Sequence, residues 1–256
     1  MNDSIDLNAD LGEDESEEAI ARDLAMMDIV SSCNIACGGH AGSSALMKKM
    51  LAASKEKAIA AGAHPSYPDR KNFGRTSLAI SGIDLERSLQ SQLQTIKTAA
   101  SESVTQLQHV KPHGALYNDA QDRESLADIL IELAASEQLP LVGMPQSLLQ
   151  EKANAAGVQF IAEAFIDRQY TDKSRLVPRN ENGAVIEQDA YRLEQGTALA
   201  MGKSIMSNKG NAIHVSAQTL CLHSDSSGAL ETAKLMRKNL EQVGIRIKPV
   251  SHGQGG

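Results

Sequence analysis

Short apolar runs alternate with helical patterns of about 12–18 residues along almost the whole chain, and this rhythm constrains the fold more than any other feature. Strands are expected at residues 5–8, 28–36, 59–64, 108–111, 139–143, 158–164 and 219–223, with 245–250 closing the chain. Helices are expected at 44–60, 83–101, 122–136 (with Asp122 as its cap), 146–156, 189–206 and 228–243, the last stopped by Gly244. Seven or eight such βα units in 256 residues suit a distorted TIM-like (β/α)7–8 barrel forming one α/β domain over residues 1–256. An open doubly wound sheet fits less well, because no glycine fingerprint follows the first strand.

Aromatic residues make up only 3% of the chain and Trp is absent, so the core must be aliphatic. A net charge of -7 gives no electrostatic case for nucleic acid or an anionic membrane as partner. No apolar run approaches the ~20 residues needed to cross a bilayer. The acidic start MNDSIDLNAD is unlike a secretory signal. Three cysteines, Cys33, Cys37 and Cys221, make no disulfide framework, which points to a reducing cytoplasm.

Two long polar segments, 65–82 and 165–182, break the rhythm. Both follow strands, so in a barrel both lie on the C-terminal face, where function concentrates. Alternation in the first strand puts Asp6, Asn8 and Asp10 on one side and Leu7, Ala9 and Leu11 on the other. The apolar set should pack against helices, which turns the carboxylates toward the lumen, where they need partners or a ligand pocket. Asp14 reads as a cap for the next helix. Later strand ends add Asn34 and His40, then His64, then Lys111, His113 and Asn118. Three histidines at successive strand ends make catalysis a better reading than isolated structural hydrogen bonds. Lys111, as the last residue of its strand, should point into a confined site as an electrostatic clamp or proton carrier. The sixth and seventh units contribute Glu163, Asp167, Arg168, Tyr170, Arg175 and His223, and arginines on that face suit an anionic substrate group.

Asp10, His40 and His64 could together bind a divalent metal with positions left for water. Cys33, Cys37 and His40 imitate a zinc-ligand spacing without the paired knuckles of a structural site. Gly196–Ser204 imitates a phosphate loop with one residue too many between its glycines, and falls within an expected helix.

The strings IDLNADLGE (5–13), NIACGGHAG (34–42), GAHPSYPD (62–69), NFGR (72–75), VKPHGALYN (110–118), EAFIDRQY (163–170) and LCLHSD (220–225) closely resemble the LamB/YcsF family. The resemblance runs in order from residue 5 to about residue 248. It implies a barrel of the glycoside hydrolase/deacetylase type and ring opening of 5-oxoproline to L-glutamate coupled to hydrolysis of ATP, carried with Mg2+. It also implies assembly with the B and C subunits of a 5-oxoprolinase, and leaves self-association into a homo-oligomer open. Departures from the family pattern are Ser43, Thr76 and Ser224.

A five-membered lactam is an unreactive amide, so its opening needs a clamp for the carboxylate, a base for water, an acid for the departing nitrogen and cations for phosphate. The roles expected are Arg168 or Arg175 on the carboxylate or phosphate, Lys111 against developing charge, and Asp10 or His64 on water. His113 or His223 would supply the proton, and Asn8, Asn34 and Asn118 would orient the substrate, with His40, Arg75, Glu163, Asp167 and Tyr170 around it. The chain carries no recognisable nucleotide motif, so ATP is expected to come with the partner subunits. The competing readings are a stand-alone metal-dependent hydrolase or deacetylase and a non-catalytic binding or scaffold barrel.

Overall fold

The structure, a computed structural model, describes residues 3–222 and 228–250. Seven parallel strands close into a barrel: β1 (Ser4–Leu11), β2 (Ser32–Ala36), β3 (Ala60–His64), β4 (Leu107–Val110), β5 (Leu141–Gly143), β6 (Phe160–Phe165) and β9 (Thr219–Cys221). Each strand pairs with the next, and β9 returns to β1 through Asp6↔Thr219 and Asn8↔Cys221. A short β10 (Arg246–Ile247) extends the sheet beside the start of β1. The tilted closure follows from the right-handed crossovers that alternating strands and helices require.

The alternation of β1 is realised. Leu7, Ala9 and Leu11 are fully buried outside the barrel, in one apolar cluster with Met50 and Leu51 of α2 (Ser44–Glu56). Asp6, Asn8 and Asp10 face the lumen, where they meet side chains from β2, β6 and β9. Asp6 accepts from the hydroxyls of Ser31 (2.6 Å), Ser32 (2.7 Å) and Thr219 (2.5 Å), and burial raises its pKa against these bonds. The core is aliphatic as expected and lies between sheet and helices, while the lumen is polar.

The remaining helices are α1 (Glu17–Met26), α3 (Gly82–Glu102), α4 (Gly114–Ala120), α5 (Glu124–Ser136), α6 (Leu148–Ala155), α7 (Asp189–Ala200) and α8 (Ala229–Gln242). Ser16, Ser43, Ser81 and Ser147 cap four of the helices with their hydroxyls, so the family departure at position 43 keeps a capping residue. Helix α4 was not anticipated, and the helix expected to be capped by Asp14 is corrected: α1 is capped by Ser16, whose amide donates to Asp14 at 2.8 Å. The second strand starts at Ser32 rather than at 28, because residues 28–31 turn out of α1. The expected cap at Asp122 is corrected: α5 starts at Glu124, and Asp122 instead accepts from Arg175 at 3.0 Å. The helix expected over 189–206 ends at Ala200, and 205–206 becomes β7 (Ile205–Met206), antiparallel to β8 (Ala212–Ile213). Gly196 lies inside α7, packed against Met236, so the stretch that imitates a phosphate loop is helical there.

Candidate active site

Lys111 leaves the end of β4 and its ammonium reaches the centre of the lumen. It lies 2.8 Å from Asp10 Oδ1 and 2.8 Å from Glu163 Oε1, donates to Asn8 Oδ1 at 3.2 Å, and approaches Cys221 Sγ at 3.4 Å. Burial opposes its charge, but Asp10, Cys221 and Glu163 hold its pKa well above the usual lysine range. Burial likewise works to raise the pKa of Asp10, yet His64 and Lys111 hold that carboxyl well below its usual range. Beneath them, Asn34 Nδ2 donates to Asn8 and to Asp10, both at 2.8 Å, and Asn34 Oδ1 lies 2.6 Å from His109 Nε2.

At the mouth, β1 is followed by Gly12, whose φ of +74° breaks the strand alternation and turns Glu13 back over the lumen. Asp23 of α1 fixes this turn by accepting from the Gly12 amide at 2.8 Å. Burial lifts Asp23 to a pKa of about 6. Glu13 Oε1 then stands 3.0 Å from His40 Nε2, 3.3 Å from His113 Nδ1 and 4.0 Å from His64 Nε2. Burial works against the Glu13 carboxylate, but His113 and His40 hold its pKa far below normal. Burial lowers His40 to about 4, in spite of its bond to Glu13. The rings of His40 and His113 stack at 3.7 Å, and Phe73 packs edge-on against both. Gly74 is required beside them: its φ is +62°, and a Cβ there would stand 3.0 Å from His40 Cβ. Glu13, His40, His64 and His113 each offer a ligand atom, all within 4.8 Å of one another, and could hold a metal ion.

Above this floor opens a cleft of about 850 Å3 at the C-terminal face. Asp10, Glu13, His64, Lys111 and His113 form one wall, and Arg75, Arg175 and Arg179 line it too, with Asn118 at its edge. Arg75 lies 4.8 Å over the Phe73 ring.

Several expected contacts are corrected. Among the described residues, Asn8, Asn34, His40, Glu163, Asp167 and Tyr170 do not line this cleft. Asn8, Asn34 and Glu163 support Lys111 and Asp10 from beneath. Tyr170 is fully buried, and its hydroxyl accepts from the Phe165 amide at 2.8 Å. Asp167 is buried, and its carbonyl receives the Ile186 amide. Arg168 borders the cleft, but it donates to the carbonyls of Val177 (2.7 Å) and Ala184 (3.3 Å), so it holds the loop closed. The metal set expected from Asp10, His40 and His64 changes: the cluster uses Glu13 and His113, and Asp10 is engaged by Lys111. His223 and Ser224 lie outside the described residues.

Glu13, Phe73, His109 and Tyr117 were missed. The period-2 rule would have found His109, which shares a strand face with Lys111. Tyr117 faces Glu163; burial and that carboxylate push its phenol pKa well above normal. Cys33 and Cys37 are free and buried, burial pushes the Cys37 thiol up to about 12, and neither belongs to the cluster that could hold a metal.

The sequence profile of the LamB/YcsF family matches residues 5–255. The chain is 38% identical over 245 residues to the A-type component of the 5-oxoprolinase of Streptomyces avermitilis, covering 95% of this chain and 98% of that protein. The crystal structure of a lactam utilization protein from Thermus thermophilus superposes with a TM-score of 0.88 at 32% identity, over 96% of this chain and 100% of that one. A family 4 carbohydrate esterase from Streptomyces lividans, solved with acetate, shares the fold alone: TM-score 0.53 at 12% identity, over 97% and 93% of the two chains.

Proposed function

The chain belongs to the LamB/YcsF family, and on that premise we propose that it acts as the A-type component of an ATP-dependent 5-oxoprolinase, opening the lactam of 5-oxoproline to give L-glutamate. The observation that carries this reading is the cleft itself, which sets a wall of carboxylate, imidazole and ammonium groups beside Arg75, Arg175 and Arg179.

Ring opening needs the lactam carbon made electrophilic. Transfer of the ATP γ-phosphoryl group to the lactam oxygen gives a phosphorylated imidate. Water then adds to that carbon, the ring nitrogen departs with a proton to leave an acyl phosphate, and a second water releases phosphate and the new carboxylate. Arg75, Arg175 and Arg179 are suited to the substrate carboxylate and the transferred phosphoryl group, both of which arginine can hold in bidentate fashion. Asp10, kept ionised by His64 and Lys111, is the base we assign to the attacking water. We assign the proton for the departing nitrogen to His223. Lys111 keeps Asp10 and Glu163 from repelling one another and steadies negative charge above it.

In this reading one barrel domain supplies the lactam site, and ATP with Mg2+ arrives with the B and C subunits. No helix among the described residues is long and apolar enough to cross a membrane. We place the complex in the cytoplasm, where ATP is available and the three cysteines stay reduced. The test is chromatographic measurement of glutamate released from 5-oxoproline, with and without ATP and the two partners. Glutamate should form in step with ADP, and only when all three subunits are present. Glutamate from the partners alone, or from this chain without ATP, would refute the assignment.

A further inference from the structure

His64 and His113 meet at 3.0 Å, Nε2 to Nδ1. Their outer nitrogens are both committed to backbone carbonyls: His64 Nδ1 to the Lys111 oxygen at 2.7 Å, and His113 Nε2 to the Phe73 oxygen at 2.9 Å. A carbonyl can only accept, so each outer nitrogen must carry the hydrogen. In the neutral rings, both inner nitrogens are then bare lone pairs pointed at one another in a buried site. Glu13 Oε1 adds a third electron-pair donor, 3.3 Å from His113 and 4.0 Å from His64.

Three converging lone pairs with no hydrogen among them call for a cation. A proton lies on the line between the two nitrogens and leaves Glu13 outside. A metal ion satisfies all three at once. With metal–ligand distances of about 2.0–2.1 Å and a tetrahedral arrangement, ligand atoms stand about 3.3 Å apart. The observed separations bracket that value. An imidazole whose far N–H is anchored on a backbone carbonyl is also the usual outer arrangement of a metal-bound histidine. His40 completes the surroundings by donating from Nε2 to Glu13 at 3.0 Å, which fixes the carboxylate and leaves only a lone pair, not an N–H, on its partnerless Nδ1.

We propose that Glu13, His64 and His113 bind one divalent transition-metal ion of the zinc class, with His40 orienting the carboxylate. Two imidazoles select such an ion over Mg2+, which prefers oxygen ligands alone. Bound there, the ion supplies a Lewis acid beside the cleft for a carbonyl or phosphoryl oxygen. The inference rests on ring geometry and not on the identity of the lactam. Metal binding can fail while ATP-dependent turnover stands, and the reverse.

The test is calorimetric titration of the full chelator-stripped chain with Zn2+, Co2+ and Mg2+, with the visible spectrum of the Co2+ form recorded in parallel. One Zn2+ or Co2+ should bind per chain, with cobalt bands typical of low coordination number, and Mg2+ should bind at least 100-fold more weakly. His113→Ala should weaken Zn2+ at least 100-fold. Glu13→Gln, which keeps the shape of the side chain and serves if the alanine variant does not fold, should weaken it at least tenfold and alter the cobalt bands. Failure of the folded wild-type chain to bind Zn2+, or wild-type affinity in the folded variants, would overturn the proposal.

Discussion

The Lys111 ammonium lies 2.8 Å from Glu163 Oε1, and neither side chain is more than 2% exposed. A charge pair this deep in a barrel costs desolvation on both sides, and bonds from Asn8 and Asp10 offset that cost. Asn8 donates to Glu163 and accepts from Lys111, and Asp10 takes the other side of the ammonium. The cleft floor is therefore a fixed electrostatic frame, held before any substrate arrives.

Removing one member should expose that cost. Lys111→Met leaves Glu163 and Asp10 buried without their cation, which should destabilise the fold by about 3–5 kcal/mol. Adding Glu163→Gln should restore part of it. Urea unfolding of both variants gives the coupling directly, and strictly additive effects would mean the pair is not a unit.

Asp23 makes stability depend on pH. Its folded pKa of about 6 is raised above the unfolded value by burial, so its contribution is fully present below about pH 4 and is lost as pH rises through 6. Asp23→Asn keeps an oxygen for the Gly12 amide and removes the titration. The variant should gain on the wild type between pH 4 and 8, by an amount on the order of 2 kcal/mol. A stability difference that does not change with pH would contradict this.

Arg75 stands on the cleft wall and is otherwise exposed. Arg75→Ala should raise KM for 5-oxoproline at least tenfold while altering stability by no more than about 0.5 kcal/mol. An unchanged KM in the reconstituted complex would remove Arg75 from substrate binding.

Tyr170 should behave in the opposite way. Tyr170→Phe removes an acceptor for the buried Phe165 amide, so unfolding should cost about 1 kcal/mol less. KM should stay at the wild-type value, and a rise would return Tyr170 to the substrate site.

These contrasts show what the chain makes legible. Period-2 alternation alone exposes Asp6, Asn8 and Asp10 as a lumen stripe, and strand ends expose His64, Lys111 and His113. Glu13 escapes the same rule because Gly12 adopts a left-handed conformation that turns the chain back, which alternation does not encode. Arg168 and Tyr170 look like ligand contacts because they follow β6 at the barrel mouth. The loop instead pairs with itself, Arg168 with Val185 and Tyr170 with Leu176, and spends both side chains on its own closure. Short α4 offers too few residues for a periodic signal, so Tyr117 beside Glu163 stays hidden until the fold is drawn.

Asp10 and His64 stand 3.3 Å apart at the base of the cleft, and the proposed ring opening calls on both. The most direct measurement is ATP-coupled glutamate formation by complexes reconstituted with Asp10→Asn or His64→Ala chains, each checked for assembly with its partners. Loss of the base, or of the imidazole that keeps it ionised, predicts a fall of roughly 100- to 10,000-fold in kcat in each assembled variant. Wild-type rates in both would contradict the assignment of this cleft as the site of ring opening.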